Sequence, residues 1–468
     1  MSGAGGNVIA ATQRDIHGYH EAFAAFEKAA PGAELPWLRK LRSDAFARFA
    51  EVGFPTSRDE DWRFTNVSPV SQGNFLLARN GVESLRPGQI EPFEFPQALR
   101  LVFVNGRFAP ALSSVAALAT GAQVASLASV LNENPALAEP FLGRYLDTRR
   151  DAFCALNTAF LADGGYVRIP KSTVLPQPVH LLFVTSGQRI PAVAHPRNLI
   201  VVEPGSQAAI IEDYISLDDL PGLCNSATEL IAGEGANVSH YLVEREHDRA
   251  FNFSTLRIQQ ARNSNVASHS ILVGGALVRN NVHPVLAGEG AECLINGLFI
   301  GRGSQHLDNY MLVEHASPHC ASRQFYNGIL GDRAHGVFHG RIVVRKDAQK
   351  TDAKQTNRNL LLSDEAQIDT KPQLEIFADD VKCTHGATIG QIEEKASFYL
   401  RSRGIDEQSA RRLLLLAFAS ECLDRMKEDG VRERIEKLIH EHISRMRQPS
   451  RRASASAGEA VPSLEEVL

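Results

Sequence analysis

A four-residue phrase, Gly233-Glu234-Gly235-Ala236, returns 55 residues later as Gly288-Glu289-Gly290-Ala291. Weaker relatives stand at Glu203-Pro204-Gly205-Ser206, Asn263-Ser264-Asn265, Gly331-Asp332-Arg333-Ala334 and Ser363-Asp364-Glu365-Ala366. Each precedes a short alternation of apolar and polar residues, as in Val238-Ser239-His240-Tyr241-Leu242-Val243. Alternation with period two places successive side chains on opposite faces of a strand. A turn signal roughly every 28 to 43 residues, with no helical period between, describes a chain coiling back on itself. From Asn198 to Gly390 this texture is nearly unbroken, and it predicts stacked rungs of a β-solenoid. A β-sandwich, which also has short strands and Gly-rich turns, is the competing architecture.

The flanks read differently. Apolar residues recur at three- and four-residue spacing from Gln13 to Ala29 and from Leu35 to Val52, through Leu38, Leu41, Phe46 and Phe49. Pro31-Gly32 separates these two expected helices and Pro55 follows the second. A Pro-rich stretch (Pro87, Pro92, Pro96) then marks a boundary, giving an N-terminal helical region over 1–95 and a β core over 96–392 with a helical insertion at about 115–162. After Gly390 the helical period returns. A helix over Glu393 to Arg403 ends at Gly404, and Asp406 is placed to cap a second one through Leu413, Leu414, Ala417, Phe418 and Cys422. Gly430 is expected to break it before a last amphipathic helix from Val431 to Met446. Residues 393–447 therefore form a C-terminal helical region, and the Ser/Ala-rich 448–468 reads as a disordered tail.

Composition excludes several function classes. The 49 Lys and Arg against 54 Asp and Glu leave a net charge of −5, without the basic footprint of a nucleic-acid binder. Six scattered cysteines do not make a disulfide framework. The longest apolar run, Leu413 to Ala419, is far short of the ~20 residues that span a bilayer, and no signal segment is visible. A cytoplasmic protein with reduced thiols is expected. There is no G-x-x-x-x-G-K-[ST], G-x-S-x-G, H-E-x-x-H or C-x-x-C, so no nucleotide site, esterase or zinc protease of its own is expected.

What chemistry remains lies in small constellations. In Cys383-Thr384-His385 the thiol and imidazole, two apart on a strand, share a face. Such a pair can hold iron or another soft metal, or can simply be a packed Cys beside a hydrogen-bonded His. His315, His319 and Cys320, with His306, His335 and His339 nearby, form a weaker metal candidate. Asp379-Asp380 admits an alternative function, a β-solenoid carbohydrate-active enzyme, although adjacent acids between strands usually form a solvated turn. The cluster Glu60-Asp61-Trp62-Arg63-Phe64-Thr65 reads as an anchor of the N-terminal helices on the solenoid. The last helices carry apolar surface suited to a partner. A third possibility, a solenoid that polymerises by stacking, is disfavoured by helical caps expected at both ends.

The stretch from Val313 to Ile405 resembles the SufB/SufD family of iron–sulfur cluster assembly proteins, and within it the SufD branch. The resemblance rests on His319-Cys320, Lys350-Thr351-Asp352, Asn359-Leu360-Leu361, Asp369-Thr370-Lys371-Pro372-Gln373-Leu374-Glu375-Ile376, Ala378-Asp379-Asp380-Val381-Lys382-Cys383, His385-Gly386-Ala387-Thr388 and Phe398-Tyr399-Leu400-Arg401-Ser402-Arg403-Gly404. Trp62-Arg63-Phe64-Thr65 is similar to the family's N-terminal motif. The resemblance implies a mainly β protein, a right-handed parallel β-helix flanked by N- and C-terminal helical regions. It implies a non-catalytic scaffold that pairs with a SufB-like paralogue and holds a SufC-like ABC-type ATPase, with a homodimer possible in isolation. A transient iron–sulfur cluster or iron would sit at the paralogue interface beside His385 and Cys383. Arg403, Arg411, Leu414, Phe418 and Leu438 would dock the ATPase. Gly386 stands where the SufB branch has a functional glutamate, and Arg358 where it has its scaffold cysteine.

Overall fold

The computed structural model describes residues 18–73, 75–78, 85–115, 118, 120–187 and 191–446. The expected disordered tail over 448–468 and the expected helix start at Gln13 lie outside the described residues. Seventeen strands build the two long faces. The odd-numbered ones are β1 (Leu99–Val104), β3 (Val179–Thr185), β5 (Gln207–Ser216), β7 (Asn237–Arg245), β9 (Asn265–Leu272), β11 (Glu292–Gly301), β13 (Ala321–Leu330), β15 (Asp352–Leu361) and β17 (Lys382–Gly390). The even-numbered ones are β2 (Gly165–Ile169), β4 (Arg197–Val202), β6 (Gly222–Ala232), β8 (Phe251–Gln260), β10 (Leu277–Leu286), β12 (His306–His315), β14 (His335–Val344) and β16 (Gln367–Ile376).

Each odd strand pairs in parallel with the next odd strand, and each even strand with the next even one. Every coil of the chain thus lays one strand in each sheet. The fold is a parallel β-helix, and the sandwich reading is set aside: a sandwich needs antiparallel neighbours. The interior is a continuous apolar column that includes Val167, Ile200, Leu230, Ile258, Leu286, Met311 and Ile342.

One corner explains the sequence repeat. Gly205, Gly235, Asn263, Gly290, His319 and Lys350 all have φ between 52° and 69° and stack in successive coils, so a coil takes 27 to 31 residues. The 55-residue recurrence of the Gly-Glu-Gly-Ala phrase spans two coils. The stack is stitched by backbone bonds from Gly205 N to Glu234 O, Gly235 N to Arg262 O, Asn263 N to Glu289 O, Gly290 N to Pro318 O and His319 N to Gln349 O, at 2.8 to 3.2 Å. The residue after each corner points inward and is buried: Ser206, Ala236, Ser264, Ala291, Cys320 and Thr351.

The two ends of the β-helix differ. At the N-terminal end, short antiparallel partners (Arg107–Phe108 against β1, Gln123–Ser126 against β2) blunt the edge strands. Above them, α1 (Pro36–Val52), α2 (Leu127–Glu133) and α3 (Ala152–Ala159) close the region, with Phe46 and Phe49 packed against Ala155, Leu156 and Phe160. Trp62 pins this region to the solenoid. Its ring stacks on Phe153 and Phe253 (centroids 5.3 and 6.1 Å), with the Arg279 guanidinium 3.8 Å above it. At the C-terminal end, β16 is half-buried and β17 largely exposed.

The helical cap expected over this end is a point the structure corrects. The helices α4 (Glu394–Ser402), α5 (Glu407–Leu423) and α6 (Asp429–Arg445) turn back, and α5 and α6 lie along the outer odd sheet. There Phe418, Cys422, Ile435 and Ile439 meet Tyr241, Val243, Ile271, Leu298 and Ile329. Asp406 caps α5 as expected, accepting from Ser409 N at 2.9 Å. Gly430, by contrast, lies within the first turn of α6, and the chain breaks earlier, between Leu423 and Asp429. A glycine there has little effect, because first-turn N–H groups have no intrahelical partner. Among the described residues no helix is long and apolar enough to cross a membrane.

Candidate functional site

The last coil sets the geometry of the candidate site. Cys383 pairs in register with Ala353 and His385 with Gln355. Traced back through the sheet, these columns run Cys293–Ser322–Ala353–Cys383 and Ile295–Gln324–Gln355–His385. All six earlier members are buried, so both columns face the interior. The i, i+2 spacing therefore brings thiol and imidazole to one face, as the sequence predicts, and that face is the open mouth of the solenoid. Thr384 continues the outer column of Arg323 and Lys354.

His385 is exposed and has no hydrogen-bond or ion-pair partner among the described residues. Directly inward, Gln355 Nε2 donates to Gln324 Oε1 at 2.7 Å, yet Gln355 Oε1 and Gln324 Nε2 remain unpaired. Polar interior atoms left without partners are uncommon and mark a column that differs from the apolar core around it. Cys383 is half-buried. Burial raises its pKa, the backbone N–H of Ala353 offsets part of this, and Asp352 adds to the rise. The isolated chain therefore presents a thiol, and a metal or a positive partner must arrive before it becomes a thiolate ligand.

The weaker candidates are not brought to this mouth. His315 is buried in the interior, 2.8 Å from Ser322 Oγ through Nε2, and burial lowers its pKa to about 4. It is a neutral hydrogen-bonded core histidine. Cys320 is the inward corner residue of its coil, its thiol 3.3 Å from Gly288 O, in the place held by Ala236 and Ala291 elsewhere. His319 takes the left-handed corner position that glycine fills in neighbouring coils. His306, His335 and His339 lie on the outer even sheet, bound to Thr65, Asp369 and Gln373. Among the described residues no group of three or more His, Cys, Asp or Glu could hold a metal ion. Asp379 and Asp380 are exposed at the corner before β17, where Asp380 pairs with Lys350. They form a solvated turn.

The five expected docking residues divide. Arg403 is exposed, its guanidinium 5.1 Å above the Tyr399 ring. Leu414 and Arg411 are half-buried, and Arg411 donates to Leu362 O at 3.4 Å. Phe418, however, is buried against the solenoid, and its carbonyl accepts from Asn327 Nδ2 at 2.9 Å. Leu438 packs against the same cluster. Both help anchor α5 and α6, because the amphipathic face read as surplus has a partner in the odd sheet. Arg358 belongs to that anchor too, pairing with Glu421 and lying over Phe418.

Sequence reasoning missed the exposed apolar groups: Ile376, Phe377 and Ile389 around the mouth, with Phe398, Tyr399 and Leu413 on α4 and α5. The signal was present in β17, Lys-Cys-Thr-His-Gly-Ala-Thr-Ile-Gly, which lacks the dense inward aliphatics of earlier strands.

Matches to known proteins extend over nearly the whole chain. Residues 183–418 match the SufBD core domain of the SUF system for FeS cluster assembly, and residues 14–181 match the SufBD N-terminal region. An iron–sulfur cluster assembly SufBD family protein of Synechocystis is 35% identical over 87% of this chain and 92% of its own length. The iron–sulfur cluster assembly protein SufD of Escherichia coli is 31% identical over 82% of this chain and 88% of its own. SufD of Bacillus subtilis is 24% identical over 88% and 95%.

Proposed function

Because the chain belongs to the SufBD family of iron–sulfur cluster assembly proteins, we propose that it is a non-catalytic scaffold subunit pairing with a SufB-like paralogue at the open mouth of its β-helix. The observation that carries this reading is the last coil itself. Strand β17 is a largely exposed edge, and such an edge recruits another strand unless it is blunted. The neighbouring apolar side chains Ile376, Phe377 and Ile389 supply desolvation energy to the same contact. His385, unpartnered at that edge, is the group placed to meet iron or a nascent cluster, which is cargo and not a resident cofactor. Cys383 is a second ligand once its thiol is deprotonated. Where the paralogue is missing, two copies of the chain would meet through the same edge.

The division of labour follows. The solenoid, 96–392, is the scaffold body in the cytoplasm, and 393–447 is the region that holds a SufC-like ATPase. With Phe418 and Leu438 committed inward, the docking surface consists of Phe398, Tyr399, Arg403, Arg411, Leu413 and Leu414. ATP-driven movement of the helices can open the mouth only if the closed ATPase dimer binds the opened state more tightly. Co-expression with SufB-like and SufC-like partners tests the reading. Recovery of a three-component complex is expected, and purification of the chain free of both partners would overturn it.

A further inference from the structure

A second cavity lies on the outer even sheet, where the N-terminal region leans over β8 to β16, and one end of it reaches Phe377 beside the mouth. It is a groove of about 610 Å³, within the size range of small-molecule sites. Trp62, Tyr145 and Tyr310 wall it, and Arg257 lies in its floor.

Arg257 is the anomaly. The other groove arginines that line the even sheet have carboxylates: Arg279 with Asp308 at 2.5 Å, Arg341 with Glu375 at 2.7 Å and Arg345 with Glu314 at 3.0 Å. Half-buried Arg257 has no ion pair among the described residues, and its Nε has no acceptor. Its one polar side-chain contact among the described residues is the ring nitrogen Nδ1 of His283, whose Nε2 faces Glu314 at 3.9 Å. The carboxylates on either side are already committed. Glu229 accepts from Arg197 at 2.6 Å and from the backbone of Gly143 and Tyr145 at 2.7 and 2.9 Å. Glu314 serves Arg345. A guanidinium withdrawn from water, with Glu314, Asp147 and Glu229 acting on it only from beyond ion-pair distance, is under-compensated, and its planar fork of donors suits a carboxylate or phosphate.

We propose that this groove binds a small organic anion, its single oxyanion head on Arg257 and its planar body against Tyr145 and Tyr310. Asp61 beside Tyr310 and exposed Asp147 at the rim select against a multiply charged ligand. The proposal rests on Arg257 and does not depend on the scaffold reading.

The test is calorimetric titration of the full-length chain with phenyl phosphate, benzoate and inorganic phosphate. The two aromatic probes distinguish a phosphate from a carboxylate head, and inorganic phosphate reports the head alone. At least one aromatic probe is expected to bind, more tightly than inorganic phosphate. Arg257→Gln should weaken it tenfold or more without lowering the melting temperature of the unliganded chain, since no carboxylate is left stranded and the amide can still donate to His283. Arg257→Lys, which keeps the charge but loses the fork, should weaken it several-fold. Exposed Arg333→Gln should leave binding unchanged. No binding of either aromatic probe, equal binding by Arg257→Gln, or a clearly lowered melting temperature in both Arg257 variants would each overturn the proposal.

Discussion

Replacing Gly288 by alanine should damage the solenoid far more than the same change at Gly303 or Gly386. A Cβ at Gly288 would stand 2.0 Å from the backbone N of Arg262 and 2.3 Å from the carbonyl carbon of Ala261. Neither neighbour is a side chain that can rotate away, so two coils must part locally. Parting them strains the bonds from Ala287 N and Gly288 N to Gln260 O (3.1 and 3.0 Å) and from Asn263 N to Glu289 O (2.9 Å). With about 1 kcal/mol for each weakened bond and about 1–3 kcal/mol for overpacking, the cost is about 4–6 kcal/mol. Gly303 is the intermediate case: its added Cβ meets nothing within 4 Å, but its φ of 59° costs an alanine about 1 kcal/mol. Gly386 has open space and no positive φ, so alanine there should be neutral within about 0.5 kcal/mol. Urea unfolding followed by far-UV circular dichroism ranks the three variants. Hydrogen exchange should place the Gly288→Ala defect at the Asn263 and Gly290 amides, because a solenoid couples mainly nearest coils. A Gly288→Ala chain within 1 kcal/mol of the parent, or less stable at Gly386→Ala than at Gly288→Ala, would refute the stacking argument.

Three further outcomes follow from buried groups. Burial raises the neighbouring carboxyls of Glu244 and Glu246 together, the second to about 7, so the native pair holds protons that the unfolded chain releases near 4.5. Stability from Glu246 should therefore fall as pH rises from about 4.5 to 7, by up to about 3 kcal/mol, and Glu246→Gln should reduce the fall in thermal melts across the range. Ile435→Ala, in the face that α6 lays on the solenoid, should cost about 2–5 kcal/mol and speed hydrogen exchange in α5 and α6 while the β-ladder stays protected. Trp62→Ala should cost about 3–5 kcal/mol and free the N-terminal region, read as faster proteolysis between residues 18 and 73.

The parts legible in the sequence were those governed by local rules. The corner phrase marked the coils because positive φ and close stacking demand glycine or a tolerant residue at fixed places. It misled on the period because His319 and Lys350 hold the same corner without looking like glycine. Cys383 and His385 shared a face because strand geometry has period two, wherever the strand lies. What a period cannot give is the partner of an apolar face. Phe418 and Leu438 read as spare because nothing in α5 or α6 announces that the odd sheet beneath them is apolar on its outer side too, through Val243, Ile271 and Leu298. The exposure of β17 is likewise a tertiary fact: it is exposed because it ends the stack, not because of its composition alone. Arg257 escaped notice because an unpaired guanidinium is defined by which carboxylates are already taken.

The central claim is that His385 at the open mouth takes part in building the cluster, and one measurement addresses it directly. The chain co-purified with SufB-like and SufC-like partners is supplied anaerobically with iron and sulfide, and cluster yield is compared between the parent and His385→Ala complexes. The His385 side chain makes no hydrogen bond or ion pair among the described residues, so the variant should assemble with its partners and melt as the parent does, yet lose most of the cluster. Undiminished yield from an intact His385→Ala complex would contradict the account.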